Sequence, residues 1–185
     1  MIIRNRDALL RHGNAAARQV LLDVLEVGLA APDPYENVKK IVRIEDGRLV
    51  IGHPDFSEPP GQPELTFDLA TIGNIYVVGG GKVAQRQAEA LEEILGDRIA
   101  GGQINAKKGD TVRLKRVPVT LAGHPIPDED SVAGSRRIVE IERSAKPGDI
   151  VFLCHSGGAT ALTALPAPGI SLADLQAVYR LLQCH

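Results

Sequence analysis

The sequence predicts an α/β fold: a three-layer sandwich with a mostly parallel sheet. Two short apolar runs, residues 75–78 and 150–154, each lead directly into a glycine-rich turn. Helical and strand patterns alternate between these two runs, which is the order of elements that a parallel sheet requires. A long N-terminal helix and a β-hairpin are predicted to precede this unit, so the expected architecture is similar to a Rossmann fold.

The first predicted element is a helix over residues 4–30. Its apolar residues recur at helical spacing and form a wide face: Val20, Leu21, Val24, Leu25, Val27 and Leu29. A face of this width requires a packing partner. Proline at positions 32 and 34 is expected to end the helix. Residues 41–51 predict a hairpin because an Asp-Gly pair separates two alternating apolar runs, and the proline-rich residues 53–63 predict a loop.

The remaining elements follow in sequence order. They are a helix over 82–95, a weak strand over 99–104, a strand over 117–121, a helix over 128–145 and a last helix over 171–183. Pro118 indicates that the third of these is an edge strand or that a strand starts there, because proline cannot donate to a ladder. The last helix begins with a capping-box pattern. Its apolar residues near the end of the chain are expected to be poorly covered, which would favour self-association.

Composition limits the classes of function. The 185 residues include 21 Lys and Arg against 23 Asp and Glu, a net charge of −2, which argues against a strongly basic nucleic-acid binder. Aromatic residues are 3% and there is no Trp, so stacking platforms for single-stranded nucleic acid are not expected. With no apolar run of spanning length, no secretory signal and only two cysteines, we expect one cytoplasmic domain over residues 1–185, without a membrane.

The first glycine turn (residues 79–82) reads Gly79-Gly80-Gly81-Lys82. Because glycine has no Cβ, backbone N–H groups can approach an anion closely, and Lys82 adds a mobile cation. The turn fits the dinucleotide-binding fingerprint weakly, because no acid follows the next strand to bind the ribose. It is not a P-loop either, because Val83 replaces the Ser or Thr of that motif. It therefore predicts an anion site, with a purely structural role for the glycines as the alternative.

The second glycine turn (residues 156–158) comprises Ser156, Gly157 and Gly158, and Thr160 follows it. Its hydroxyls are suited to an anion or a metal-bound phosphate. Cys154 stands where a nucleophile elbow has glycine, so the turn does not predict a serine hydrolase. Cys154 itself is interpreted as a buried strand residue rather than a catalytic thiol. Both turns are expected at the carboxyl ends of strands, where open parallel sheets bind ligands.

The His124 loop (residues 122–128) is the third notable segment. Two prolines stiffen it between a strand and a helix. One interpretation is that it presents His124 to a cleft at neutral pH. The other is a stiff loop that leads into a helix capped by Asp128.

Taken together, these segments resemble the glycerate 2-kinase family, the type-2 glycerate kinases that were once called hydroxypyruvate reductases. The resemblance rests on the two glycine turns, the His124 loop, Lys-Pro-Gly-Asp at 146–149 and Pro-Ala-Pro-Gly-Ile-Ser-Leu-Ala-Asp-Leu-Gln at 166–176. It implies the amino-terminal domain of an enzyme with two α/β domains and a cleft between them. The implied reaction is ATP-dependent phosphorylation of D-glycerate at its 2-hydroxyl, with Mg²⁺ arriving on the nucleotide.

The resemblance also implies a site. Lys82 would be the catalytic residue, neutralising carboxylate or phosphate charge. The residues expected to bind substrate or nucleotide are Gly79, Gly80, Gly81, His124, Ser156, Gly157, Gly158 and Thr160, and no metal ligand is assigned. Ala159 departs from the family, which usually has a further glycine there. Because the family's second domain is missing, the chain is expected to be truncated and incompetent alone.

Two alternatives stay open. The first is an NAD(P)-dependent oxidoreductase that reduces hydroxypyruvate, which the glycine turn favours and the missing acid opposes. The second is a non-catalytic module that pairs with a second chain, either a copy of itself or a partner that supplies the second domain.

Overall fold

The computed structural model describes residues 2–56, 59 and 61–183. The helices are α1 (Arg6–Leu10), α2 (Ala15–Ala30), α3 (Pro34–Ile41), α4 (Ala84–Leu95), α5 (Glu129–Ser144), α6 (Ala159–Leu162) and α7 (Leu172–Gln183). The strands are β1 (Val42–Glu45), β2 (Arg48–Ile51), β3 (Leu65–Asp68), β4 (Ile75–Gly80), β5 (Ile99–Lys107), β6 (Val119–Ala122) and β7 (Ile150–His155). No helix within these residues is long and apolar enough to cross a membrane.

The main sheet has four parallel strands in the order β6-β5-β4-β7. Helices cover both of its faces, as alternate residues of β5 show. Ile104 packs into the core beside Ala88 and Leu91 of α4, while its neighbour Asn105 bonds to backbone of α5 and α6. Because neighbouring side chains of a strand point to opposite faces, α4 and α5 lie on opposite sides of the sheet. The predicted three-layer α/β fold is therefore confirmed.

The predicted helix over residues 4–30 is two helices. Gly13 has a φ of +66°, which an α-helix cannot contain, and the chain turns there. The side chain of Asn14 then accepts a hydrogen bond from the Ala17 amide and starts α2. The prolines expected to end this segment also begin a further helix, because the Asp33 carboxylate caps α3 and Pro34 occupies its first turn.

The predicted hairpin is confirmed as β1 and β2, with Asp46 and Gly47 both at positive φ in the turn. A third strand, β3, pairs antiparallel with β2 and completes a small sheet. Sequence analysis missed β3, which is short and directly follows the proline-rich segment. Residues 57, 58 and 60 of that predicted loop lie outside the described residues, as do Cys184 and His185.

β5, predicted to be weak, is an interior strand of nine residues. Glycine is needed at position 102 because a Cβ there would overlap the Val77 carbonyl of β4. β6 lies at one edge of the sheet and begins directly after Pro118, which agrees with both interpretations of that proline, and β7 lies at the other edge. Asp128 starts α5 with a reciprocal capping box to Ser131, as the acid-rich start of that helix indicated.

Candidate anion site at the ends of two parallel strands

The two glycine turns lie side by side at the carboxyl edge of the main sheet. β4 and β7 are parallel neighbours, and Gly80 pairs with His155 at their ends. β5 and β6 extend the sheet on one side of β4, while β7 extends it on the other. The turns therefore flank the point where strand order reverses, which is where open α/β sheets bind ligands. The shared edge predicted for Lys82 and Ser156 is thus present.

Hydrogen bonds fasten the two turns to each other. The Lys82 amide donates to the Gly157 carbonyl at 3.0 Å, and the Val83 amide donates to the Ser156 hydroxyl at 3.1 Å. The Gly81 amide donates to the Asn105 carbonyl of β5 at 3.2 Å. Because these donors are engaged, the amides from 81 to 83 hold the site together. Ligand binding by Gly79, Gly80 or Gly81 stays a prediction.

Packing alone requires glycine at all three positions of the first turn. A Cβ on Gly79 would overlap the Cys154 carbonyl of β7, and one on Gly81 would overlap the Ser156 hydroxyl. Gly80 lies against the methyl group of Thr163. Gly79 and Gly81 also have φ values of +138° and +144°, which side chains rarely allow. The triple glycine thus permits the close approach of β4 to β7 and the second turn.

Lys82 and His124 meet at Gly158. A Cβ on Gly158 would lie 3.0 Å from His124 Nε2 and 3.3 Å from Lys82 Cγ, and the φ of this residue is +90°. The second glycine turn therefore packs between the imidazole and the lysine stem. Thr160 is exposed, and its carbonyl accepts a hydrogen bond from the Tyr179 hydroxyl at 2.7 Å. That bond ties α7 to α6 through the threonine backbone, and ligand binding by the Thr160 hydroxyl stays a prediction.

The site is electropositive. Lys82 is exposed, and it forms no salt bridge within the described part of the chain. Burial of the ring lowers the pKa of His124, and the positive charges of Lys82 and Lys107 lower it further. The imidazole is therefore neutral near pH 7. An anion placed between these groups would be attracted to both lysines and would favour protonation of the ring.

A cavity of about 350 Å³ opens beside Lys82, at the start of α4. Its lining adds two further cations and one acid, Asp110, which lies 3.8 Å from the Lys107 ammonium. The lining residues are Lys82, Gln85, Arg86, Gly109, Asp110, Thr111 and Arg113. Arg86 is bonded to Glu89 at 2.6 Å, so its charge is partly matched. The cavity gives an anionic group room to reach Lys82 from the solvent side.

Asn105 is a supporting residue that sequence analysis missed. It is fully buried, and its side-chain amide donates to the Leu162 carbonyl of α6 at 2.8 Å. Its side-chain oxygen accepts from Gln103 at 3.1 Å, and its backbone carbonyl holds the Gly81 amide. A Gln and an Asn alternating with Ile104 in an interior strand were the available signal, because buried amides need several partners.

The structure confirms that the His124 loop leads into a helix capped by Asp128, while presentation of His124 to a cleft stays a prediction. The Asp128 carboxylate caps α5 and bonds to Lys108 at 2.6 Å. Burial raises the pKa of Asp128, but the Lys108 and backbone hydrogen bonds outweigh burial and bring it to about 2. The loop is therefore a fixed connection into a capped helix, and that fixed connection also holds His124 at Gly158.

Cys154 is 3% exposed, and burial raises its pKa to about 12. The interpretation of this residue as part of the core is confirmed, because a thiol in that state is not a nucleophile at neutral pH.

Among the described residues, no group of three or more His, Cys, Asp or Glu side chains could hold a metal ion. β5 ends at Lys107, where a dinucleotide-binding fold has an acid for the ribose.

These features define a doubly wound α/β domain with a basic site at its switch point. A family model described as "Domain of unknown function (DUF4147)" matches residues 20–185, so the chain belongs to that family. It is 36% identical over 164 residues to a glycerate 2-kinase of Pyrococcus horikoshii and 32% identical over 145 residues to a D-glycerate 2-kinase of Thermotoga maritima. These alignments cover 85% and 78% of this chain, but 34% of each relative.

A solved structure supports the same family. A crystal structure of a Pyrococcus horikoshii protein superposes with a TM-score of 0.74 at 36% identity, covering 91% of this chain and 35% of that one. The chain thus spans about a third of the length of the curated relatives it matches, in their N-terminal part. The resemblance to the amino-terminal domain of glycerate 2-kinases is confirmed.

Proposed function

We propose that this chain forms one side of the active-site cleft of a kinase that phosphorylates D-glycerate at its 2-hydroxyl with ATP. The observation that carries the proposal is the meeting of Lys82, His124 and the second glycine turn at the switch point of a parallel sheet. The names of the two glycerate kinase relatives supply the substrate class. We also propose a cytoplasmic location for this chain.

The chemistry requires the positive charge that these residues offer. In the transfer, the glycerate hydroxyl oxygen bonds to the γ-phosphorus while the bond from that phosphorus to the ADP oxygen breaks, and negative charge spreads over the phosphoryl oxygens. In this proposal Lys82 is the catalytic residue that meets this charge or the substrate carboxylate. The neutral ring of His124 is suited to accept the hydroxyl proton. Mg²⁺ is part of the nucleotide substrate and neutralises its phosphates.

One side of a cleft is not enough for efficient transfer. The transferring group must be met by charge on several sides and shielded from water. In this proposal Lys82, His124 and the second turn form one wall, and Lys82 itself is exposed. We therefore expect the 185-residue chain alone to show no appreciable turnover with D-glycerate and MgATP. Activity would need the second wall, from a further domain or a partner chain.

The test uses a chimera in which the relative supplies the second wall. This chain replaces the corresponding N-terminal third of the Pyrococcus horikoshii glycerate 2-kinase, and ADP release is followed in a coupled assay. Lys82→Ala should lower kcat/KM by two orders of magnitude or more, as expected for the loss of about 3 kcal/mol of transition-state stabilisation.

Lys146→Ala is the matched control, since it removes an exposed lysine from the opposite end of β7. If both variants kept the rate of the unsubstituted chimera, Lys82 would be shown to be only solvated. Oxidation of NADH in the presence of hydroxypyruvate, without glycerate-dependent ADP release, would instead support the oxidoreductase.

A further inference from the structure

Two cations that line the cavity beside Lys82 have no counter-charge of their own. The charged residues of the lining are three cations and one acid. Arg86 is bonded to a glutamate one helical turn away at 2.6 Å, and Asp110 lies 3.8 Å from a lysine of β5. The other two cations, Lys82 and Arg113, are exposed and form no salt bridge within the described part of the chain. Two unmatched positive charges from different elements therefore border one cavity.

Arg113 lies in the irregular segment between β5 and β6, but α4 holds this segment in place. Gln85 of α4 is 7% exposed, and its side-chain oxygen accepts a hydrogen bond from the Arg113 amide at 3.0 Å. Its side-chain amide donates to the Thr111 carbonyl at 3.4 Å. Two turns further along α4, the Glu92 carboxylate accepts from the Val117 amide at 2.8 Å. Because the backbone is fixed on both sides of Arg113, less entropy is lost when its side chain binds a ligand.

Lys82 borders two separate spaces. Its stem packs against Gly158 next to His124, and neither of these two residues lines the cavity. Phosphoryl transfer needs such a division, because the attacking oxygen and the leaving oxygen lie roughly in line on opposite sides of the transferred phosphorus. In the proposed reaction the acceptor hydroxyl lies at His124, which leaves the cavity for the phosphate donor.

We propose that this cavity binds the polyphosphate chain of the nucleotide, that Arg113 pairs with it and that Gln85 positions Arg113. This assignment rests on the proposed function, since it takes MgATP as the donor. A planar guanidinium matches two phosphate oxygens at once, whereas lysine acts as a point charge. The cavity volume of about 350 Å³ lies at the lower end of the roughly 300–1,000 Å³ of small-molecule sites.

The charge of the cavity favours a polyphosphate over the carboxylate of glycerate. A carboxylate carries a single negative charge, which Lys82 alone can match. A phosphate chain carries several negative charges along its length, and it can reach Lys82 and Arg113 together. Because both cations are exposed, the attraction should weaken as salt screens it.

The first experiment titrates inorganic tripolyphosphate into the 185-residue chain at low salt, with isothermal calorimetry as the readout. The wild-type chain should bind it, and Arg113→Gln should raise the dissociation constant about tenfold, because a charge-assisted hydrogen-bonding group is lost. Arg116→Gln is the matched control: it removes a cation of the same segment that is bonded to Asp97 at 2.6 Å and does not line the cavity. The proposal is overturned if the wild-type chain does not bind tripolyphosphate, or if Arg113→Gln binds it as tightly as Arg116→Gln.

The second experiment tests the positioning role of Gln85. Gln85→Met keeps a side chain of similar length but removes both hydrogen bonds to the segment. In that background, Arg113→Gln should weaken tripolyphosphate binding by about twofold at most rather than about tenfold, because Arg113 is no longer held at the cavity. A tenfold loss in both backgrounds would refute the positioning role.

The third experiment separates this assignment from the proposed function. In the chimera with the Pyrococcus horikoshii relative, Arg113→Gln should raise the KM for MgATP about tenfold and leave the KM for D-glycerate within about twofold. A rise confined to the KM for D-glycerate would overturn the proposal, because the cavity would then belong to the acceptor. A chimera without glycerate-dependent ADP release would contradict the kinase instead, and the tripolyphosphate titration would still decide whether Arg113 binds polyphosphate.

Discussion

The substitution Gly79→Ala tests whether steric fit, rather than ligand binding, requires the first glycine turn. Gly79 pairs with Cys154 of β7 and Ile104 of β5, so it lies in the middle of the sheet. An added methyl group would overlap the Cys154 carbonyl oxygen, which is main chain and cannot rotate away. The strands must therefore separate, or the residue must leave its φ of +138°.

The size of the effect follows from two terms. Holding an alanine in a backbone region that side chains rarely adopt costs about 1–3 kcal/mol. Forcing extra volume into a packed interior costs about 1–3 kcal/mol more. The sum, about 2–6 kcal/mol, is a large part of the roughly 5–15 kcal/mol by which a typical domain is stable. Gly79→Ala should therefore lower the free energy of unfolding by several kcal/mol or prevent folding.

The assay is urea unfolding followed by circular dichroism, with Gly157→Ala as the control from the same site. A Cβ on Gly157 would have no atom within 4 Å, and its φ is not positive. Its free energy of unfolding should stay within about 1 kcal/mol of wild type. If Gly79→Ala unfolded at the wild-type midpoint, or if Gly157→Ala were the more harmful change, the steric explanation of the triple glycine would be refuted.

Two further predictions concern titratable groups. Because the pKa of His124 is lower in the folded chain than in the unfolded chain, the unfolded state binds more protons below about pH 6.5, and stability should fall there as the pH decreases. His124→Gln should remove part of this loss when urea midpoints at about pH 7.5 and 5.5 are compared, and an identical loss in both proteins would contradict the assignment. In a Cys184→Ser background, the buried Cys154 thiol should resist a disulfide reagent at about pH 8 until urea unfolds the chain, and fast reaction of the native protein would show that it is accessible.

Much of the fold could be predicted because local rules and packing agree. Ile75 and Val77 in β4 and the capped start of α5 at Asp128 have propensities that match their final environments. The misses are places where a special backbone conformation or a distant neighbour overrides the local pattern. Gly13 breaks an otherwise continuous helical pattern, and β3 forms because β2 offers it an edge. Neither outcome is visible in periodicity alone, since both depend on neighbours that are distant or conformationally special.

The position of the candidate site could also be predicted, but the hydrogen bonds within it could not. Two apolar strands followed by glycine turns were enough to place Lys82 and Ser156 at one edge. The sequence did not show that the Lys82 and Val83 amides would bond to the second turn instead of facing a ligand. It also did not show that Asn105 would connect the first glycine turn to α6, because the partners of a buried amide are set by three-dimensional packing.

Packing explains the glycines of the first turn, but it does not explain the exposed Lys82 side chain. Steric fit accounts for Gly79 and Gly81 without any ligand, so the presence of three glycines is no argument for phosphate binding here. The packing of the domain does not account for an exposed lysine without a salt bridge in the described chain, next to an imidazole whose proton its charge disfavours. An anion bound here would be attracted to the Lys82 charge and would favour protonation of the ring. Anion affinity at this edge should therefore depend on the Lys82 side chain and decrease as salt screens it.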